Sequence, residues 1–320
     1  TLYYNLLILI KRINMKKNKI YNEPCLDTLS KMDDNSIDCV ITSPPYWQLR
    51  DYGYDGQWGL EPTFKEYLEH LWQMMDLIYL KLKPMGTCWI NLGDTYNGTK
   101  VGNTSNKGYG ENTVINTFIK QKNEGIKDKC LLLIPHRFAI GCIDRGWILR
   151  NDCIWAKRNG MPESVTDRFT KKHEYFFFMV KNEKYHFDLD AIKDKVENPG
   201  KPRAFAKKGN NDRNDTGRIY NPESITGKNP GSVSDFWDIP TKPSKSEHYA
   251  SYNDSLLVKP VLAGCPKGGI IYDPFMGTGS TAEAAIRAGR FFIGSEMSEE
   301  YCKIANKRLV PFLAQQELFK

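Results

Sequence analysis

The chain has 320 residues, 40% of them apolar, and a formal net charge of +7. This size suits one large α/β domain with an insertion, or two modest domains, and the mild positive charge fits a polyanionic partner without requiring one. None of the eight cysteines forms a Cys-x-x-Cys pair or has the spacing of a zinc site. The sequence therefore predicts no metal site, and reduced, buried thiols in a cytoplasmic protein.

The amino-terminal segment holds an apolar run, residues 6–10, followed by Lys11 and Arg12. The run is too short to span a membrane, and its positive charge lies on the wrong side for a signal peptide. We therefore expect no membrane association. Because Met15 opens a stretch typical of a protein start, we expect residues 1–14 to be a dispensable extension or an over-long reading frame.

The first strong pattern is a β-branched run, residues 36–42, that ends in Ser43-Pro44-Pro45-Tyr46. Two prolines cannot continue a strand interior, so we expect a buried strand that stops at a loop. The prolines remove two N–H donors and leave carbonyls free to point outwards. Ser43, the Pro44 carbonyl and the Tyr46 ring could then clamp an aromatic ring that bears an amino group. A plain structural turn and a Pro-Pro-x-Tyr-like ligand for a small adaptor domain are the alternatives.

The next two elements are a helix over residues 64–83 and a strand over residues 87–92, with Pro84 and Gly86 ending the helix between them. The helix shows one apolar face at helical spacing, formed by Phe64, Leu68, Leu71, Trp72, Met75, Ile78 and Leu82. The order strand, helix, strand is typical of a parallel sheet with crossover connections.

The middle of the chain alternates polar and apolar stretches. Residues 97–129 are rich in Asn, Gly, Lys and Thr and predict a long surface loop. Helix-like and strand-like patterns follow at 130–141 and 147–156, and residues 174–180 are a strongly apolar strand candidate. Residues 195–228 then hold eight basic against four acidic side chains, with Gly and Asn breaking any periodicity.

A glycine-rich turn lies between a predicted strand, residues 270–272, and a predicted helix, and it reads Asp273-Pro274-Phe275-Met276-Gly277-Thr278-Gly279. Such turns bind nucleotide-like cofactors, because glycine lets the backbone approach the ligand and the helix N-terminus offers free N–H groups. A phosphate-binding P-loop is excluded because no lysine precedes Ser280 and Thr281. Glu296, after the next strand, could accept hydrogen bonds from both hydroxyls of a ribose. A tight turn without a ligand and a solvated glutamate are the alternatives. The remaining elements are a helix at 281–288 closed by Gly289, a strand at 291–294 and a helix at 298–309.

Taken together and in this order, the two turns resemble the β class of DNA amino-methyltransferases. In that family a catalytic (Asp/Asn/Ser)-Pro-Pro-(Tyr/Phe/Trp) motif precedes the cofactor motif Phe-x-Gly-x-Gly, and a target-recognition region lies between them. The matching elements here are Ser43-Pro44-Pro45-Tyr46, Phe275-Met276-Gly277-Thr278-Gly279 and roughly residues 186–235. The resemblance covers nearly all of residues 21–310 outside the recognition region, and further matching segments are 82–87, 154–162, 167–169, 236–240 and 248–252.

The resemblance implies a Rossmann-like methyltransferase fold with a mostly parallel central sheet, a circularly permuted motif order and an inserted recognition region. It divides the chain into four parts. These are an extension (1–20), the catalytic half of the methyltransferase domain (21–185), the target-recognition region (186–235) and the cofactor-binding half (236–320).

The activity that the resemblance implies is methyl transfer from S-adenosylmethionine to an exocyclic amino nitrogen in double-stranded DNA, without a metal. The catalytic residues carried over are Ser43, Pro44, Pro45 and Tyr46, and the cofactor-binding residues are Asp273, Phe275, Gly277, Gly279 and Glu296. The target base must flip out of the duplex, with Tyr46 stacking on it. Basic residues within 195–228 would contact phosphates. A bacterial or phage origin and a cognate restriction endonuclease as partner fit this family.

Several alternatives stay open at this level. Ser43 favours N4 of cytosine, whereas Asp at this position is commoner in enzymes that modify N6 of adenine, which remains the second choice. A non-catalytic DNA-binding module on the same fold, and an RNA or protein methyltransferase, are more remote. The chain also departs from the family where Gly-Asp often lies near the adenine of the cofactor, because Glu23-Pro24 stands there. Either Glu23 or a backbone group takes over that contact, or it is absent.

Overall fold

The computed structural model describes residues 15–98, 125–160, 163–193, 233–241 and 254–318. In this part of the chain one eight-stranded sheet runs in the order β1-β8-β7-β2-β3-β5-β4-β6. Its strands are β1 (Lys19–Tyr21), β2 (Ile37–Thr42), β3 (Leu82–Leu92), β4 (Ile148–Ala156), β5 (His173–Val180), β6 (Phe236–Asp238), β7 (Ile270–Asp273) and β8 (Phe291–Ser295). Only β5 runs antiparallel to its two neighbours, β3 and β4, so the predicted mostly parallel sheet is confirmed.

Helices cover both faces of the sheet, as parallel strands require. They are α1 (Cys25–Lys31), α2 (Phe64–Lys81), α3 (Ile134–Asp144), α4 (Asp254–Gly264), α5 (Ser280–Arg287) and α6 (Glu299–Leu318). Successive strand residues point to opposite faces. Ile90 therefore packs in one core with α1, α2 and α3, while Trp89 packs in a second core with α4, α5 and α6. The result is a three-layer α/β/α arrangement of the Rossmann type.

One pairing in this sheet joins distant parts of the sequence. Strand β2 lies parallel to β7, with Cys39 opposite Ile271 and Val40 opposite Tyr272. Because the carboxyl ends of parallel strands meet at the same edge, the turn after β2 lies beside the turn after β7. In open α/β sheets ligands bind in the crevice at that edge.

The prediction that Pro84 and Gly86 end the second helix is wrong. Helix α2 begins after Thr63, whose side chain accepts a hydrogen bond from the Glu66 amide, and it ends at Lys81 because Leu82 is already extended. Pro84 and Gly86 lie inside β3. They are tolerated there because the pairing with β2 is irregular between Ile37 and Cys39, so the N–H that proline lacks is not needed.

Other boundaries differ from the sequence predictions by a few residues. The helix expected at 130–141 is α3 at Ile134–Asp144, and the last helix is α6 at Glu299–Leu318, which continues through Pro311. The sequence analysis did not identify four elements, which are β1, α1, β6 and α4. All eight cysteines are free, and seven are buried as expected, but Cys130 is exposed because it lies in a loop before α3.

Several predicted segments lie wholly or mostly outside the described residues. These are the extension 1–14, most of the loop 97–129, the basic stretch 195–228 and most of the recognition region 186–235. No helix among the described residues is long and apolar enough to cross a membrane.

Candidate active site

A buried hydrogen bond joins the two turns that the sequence singled out. The Thr42 hydroxyl, at the end of β2, donates to Asp273 Oδ1, at the end of β7, over 2.6 Å. The same oxygen accepts the Phe275 amide at 3.0 Å. Asp273 is 1% exposed. Its carboxylate therefore fixes the start of the glycine-rich turn and ties that turn to the strand that carries Ser43.

Complete burial makes this carboxylate costly to ionise. Desolvation raises the pKa of Asp273 from its ordinary value to about 6, and the hydrogen bonds from the Thr42 hydroxyl and the Phe275 amide oppose that rise. Asp273 thus joins the two turns in the folded protein, but the ionisation of its carboxyl near neutral pH lowers the free energy of unfolding.

A cavity of about 910 Å³, including its open mouth, lies between the two turns. Five of the nine predicted site residues line it, namely Ser43, Pro45, Phe275, Gly277 and Glu296. The other four, Pro44, Tyr46, Asp273 and Gly279, do not line this cavity. The structure thus brings part of the predicted catalytic turn and part of the predicted cofactor turn to one cleft.

Glu296 shapes the floor of this cavity. Its Oε2 accepts the Gly277 amide and its Oε1 accepts the Ser298 amide, each at 2.8 Å. Burial raises the pKa of Glu296, and these two backbone donors oppose the rise. A carboxylate offers about four acceptor positions, so two backbone bonds leave capacity for a ligand.

The two glycines of the turn have different roles. Gly277 has φ +54°, a left-handed conformation that favours glycine, and it lines the cavity. Gly279 has φ +86° and caps α5, where an added Cβ would lie 3.1 Å from the Ala305 Cβ of α6. Gly279 thus lets α5 approach α6 and sets the helix start, whereas Gly277 opens the backbone to the cavity.

Tyr46 is held in place by the strands next to its own turn. Its hydroxyl lies 2.9 Å from Asn91 Oδ1 and 2.8 Å from Glu174 Oε2, and the Ser43 hydroxyl donates to it over 3.4 Å. Its ring lies against Gly93, where an added Cβ would be 2.7 Å from Tyr46 Cε2. The ring therefore has a fixed orientation beside Ser43.

The sequence analysis missed an aromatic wall of the cavity. Aromatic side chains form it, and they are Tyr52, Tyr54, Trp58 and Tyr301. The Tyr54 hydroxyl lies 2.6 Å from the Ser298 hydroxyl, which connects this wall to the loop after β8. The signal was the alternation of aromatic residues with glycines, since Gly53, Gly56 and Gly59 all have positive φ.

Glu61 and His70 stabilise the position of that wall. Glu61 is 8% exposed, and it accepts the Gly59 amide at 2.8 Å and contacts His70 Nδ1 at 2.9 Å. The Trp58 ring stacks on His70 and meets Phe275 edge-on, with centroids 5.5 and 5.3 Å apart. Trp58 is thereby pressed against the glycine-rich turn.

The structure also shows what Glu23 and Pro24 do at the position where the chain departs from the Gly-Asp of the family. Glu23 accepts the Thr28 hydroxyl at 2.9 Å and forms an ion pair with Lys31, so its carboxylate stabilises α1. Pro24, in contrast, lines the cavity together with the first residues of α1.

In the described residues, no group of three or more His, Cys, Asp or Glu side chains could hold a metal ion.

Comparisons with known proteins agree with this architecture. The model of the N6_N4_Mtase family, described as DNA methylase, matches residues 37–307. The Type II methyltransferase M.SmaI of Serratia marcescens is 34% identical over 303 residues, which are 93% of this chain and 92% of that protein. M.Cfr9I of Citrobacter freundii is 32% identical and covers 91% of this chain and 87% of its own length. Among solved structures, the PvuII DNA methyltransferase (cytosine-N4-specific) superposes with a TM-score of 0.62, covering 94% of this chain and 93% of that one at 17% identity.

The raised pKa of Asp273 predicts a specific pH dependence of stability. The native carboxyl titrates near pH 6 and an unfolded one near its ordinary 3.8, so between these values the native state binds more protons. Stability should fall by about 2 kcal/mol as pH rises from 4 to 6, and the loss should reach its full extent, about 3 kcal/mol relative to low pH, only above pH 6.

Asp273→Asn removes this ionisation and keeps an oxygen that can accept from Thr42. Its free energy of unfolding in urea should therefore change less between pH 4 and pH 7 than that of the wild type. The exposed Asp55→Asn variant is the control and should behave as the wild type. Equal pH dependence in Asp273→Asn and the wild type would contradict the assignment.

Proposed function

Because the chain belongs to the N6/N4 family of DNA methylases and is a DNA amino-methyltransferase, we propose that it methylates N4 of a flipped-out cytosine in double-stranded DNA, with S-adenosylmethionine as donor. The observation that carries this proposal is the single cavity shared by Ser43 of the catalytic turn and by Gly277 and Glu296 of the cofactor turn.

The lining of the cavity suits the chemistry of S-adenosylmethionine. Glu296 keeps acceptor positions for ribose hydroxyls, and the rings of Tyr52, Trp58 and Tyr301 offer flat faces to an adenine and to a positively charged sulfur. When bound, the cofactor supplies a methyl group on a cationic sulfur, which is a strong electrophile.

The catalytic turn aligns the exocyclic amino nitrogen of the target base, which is a poor nucleophile. The lone pair of an exocyclic amino nitrogen is delocalised into its ring. The Ser43 hydroxyl and the Pro44 carbonyl can accept the two amino hydrogens, which localises that lone pair and points it at the cavity. Positioning and fixed dipoles of this kind account for most of the barrier reduction in such transfers.

Tyr46 supplies a prepared surface for the target base. Gly93 covers one side of its ring, and Asn91 and Glu174 fix its hydroxyl. The base is inaccessible within a duplex and must leave the stack to reach Ser43. A ring that is already held loses little conformational freedom when a base stacks on its other face.

The choice of cytosine depends on Ser43, since Asp is commoner at this position in enzymes that modify adenine N6. We further propose a cognate restriction endonuclease as partner, because similar proteins are named Type II methyltransferases.

The modified base can be identified directly. DNA from a methylation-free host that expresses the protein should contain N4-methylcytosine, detected by mass spectrometry of its nucleosides. Pro44→Ala should abolish the product because it loosens the turn. N6-methyladenine without N4-methylcytosine would contradict the choice of base, and wild-type activity of Pro44→Ala would contradict the site.

Glu296→Gln tests the cofactor cavity. Charged hydrogen bonds contribute about 1.5 to 3 kcal/mol, so calorimetry should show a roughly tenfold to hundredfold weaker affinity for S-adenosylmethionine. Glu299→Gln, at an exposed ion pair on α6, is the control and should bind as the wild type. Unchanged affinity of Glu296→Gln would contradict its role.

Gly93→Ala tests the placement of Tyr46. The added methyl group must displace the ring, so kcat should fall at least tenfold while the affinity for S-adenosylmethionine stays near that of the wild type. In a Tyr46→Ala background the same change should have little further effect, because no ring remains to be displaced. Independent, multiplying losses in the double variant would contradict the contact.

A further inference from the structure

One large apolar side chain in the described part of the chain is almost fully exposed at the end of the sheet that carries the catalytic turn. Phe169 lies in the loop that connects β4 and β5, and it is 96% exposed. Phenylalanine is among the residues most often buried in folded proteins. An isolated ring held in water next to a functional site suggests a surface that is covered when a partner binds.

Contacts hold this loop at the same edge of the sheet as Tyr46. The Lys157 amide donates to the Lys172 carbonyl over 2.8 Å and closes the base of the loop. The Lys171 ammonium donates to the Asp94 carbonyl, and Asp94 directly follows Gly93, the residue that packs against the Tyr46 ring. Phe169 therefore lies two residues from Lys171, which is bonded to the residue next to Gly93, and Gly93 supports the Tyr46 ring.

The charge of the loop identifies the kind of partner. Residues 157–172 contain five basic and two acidic side chains. Both acidic side chains are occupied, since Glu163 pairs with Arg168 at 2.6 Å and Asp167 pairs with Lys129 at 2.5 Å. The guanidinium of Arg168 also lies 4.2 Å from the centre of the Tyr96 ring. Four of the five basic side chains are also bonded within the protein, Lys157 to Glu174, Arg158 to Asp238, Arg168 to Glu163 and Lys171 to the Asp94 carbonyl, and the fifth, Lys172, is exposed. A loop that presents an exposed lysine and one aromatic ring suits a nucleic-acid backbone and a base stack.

We propose that Phe169 enters the DNA duplex and fills the space that the flipped-out base vacates, while the exposed Lys172 of its loop contacts a flanking phosphate. This inference rests on the proposed function. Base flipping leaves a gap that breaks the stacking of the neighbouring bases, and an apolar wedge restores contact on both sides. The phenyl ring loses its exposure to water in the same step.

The test compares two synthetic duplexes that carry the recognition site, once sequencing of methylated DNA has defined it. One is fully paired, and the other has an abasic site opposite the target base, so that its flipping breaks no base pair. On the paired duplex Phe169→Ala should lower kcat/KM for methyl transfer about tenfold, which is the scale of losing one base–aromatic stack. On the abasic duplex the loss should be less than about threefold, because flipping there needs less assistance.

Two further variants separate this role from a structural one. Phe169→Trp keeps an aromatic wedge and should retain most of the activity on the paired duplex. Leu80→Ala removes another exposed apolar side chain, 47% exposed at the end of α2 on the opposite edge of the sheet, and should match the wild type on both duplexes. Affinity for S-adenosylmethionine and the melting temperature should be unchanged in all three variants.

The outcomes distinguish this inference from the function on which it rests. If the wild type transfers methyl groups and Phe169→Ala loses nothing, or loses equally on both duplexes, the wedge is refuted and the proposed function stands. If the wild type methylates neither duplex, the proposed function fails, and the wedge fails with it.

Discussion

The pairing of β2 with β7 is the constraint on which the site depends. It brings together two segments whose joining residues, Thr42 and Asp273, are 231 positions apart, and it seals the junction with a buried hydrogen bond between them. Because the strands are parallel, both turns emerge at one edge of the sheet. The cavity, its carboxylate at Glu296 and the hydroxyl of Ser43 all follow from that register.

The two sides of the site are built by different means. On the proposed cofactor side the backbone dominates, since Gly277 has a left-handed conformation and Glu296 accepts two main-chain amides. On the proposed target side, side chains of β3 and β5, Asn91 and Glu174, fix Tyr46. A backbone cradle suits a cofactor that always has the same shape, and a supported ring suits a base that arrives from a duplex.

Much of the sheet and both turns could be predicted, because alternating apolar runs end at prolines and glycines whose conformational limits are local. The aromatic wall around Trp58 has a sequence signal in its alternating glycines, but its place over the cavity could not be predicted, since it depends on Glu61 and His70, which lie beyond it in the sequence. For the same reason Asp273, expected among the cofactor-binding residues, lies outside the lining of the cavity, because its partner is the distant Thr42. Pro84 misled the prediction because its place in β3 depends on an irregularity in the pairing with β2.

The most direct test of this account is a crystal structure of the protein with S-adenosylhomocysteine, the product that remains after methyl transfer. The account predicts that the ligand occupies the cavity between the two turns, with its ribose hydroxyls within hydrogen-bond distance of Glu296 and its sulfur directed towards Ser43. A ligand bound elsewhere, or one whose sulfur points away from the Ser43 turn, would contradict it.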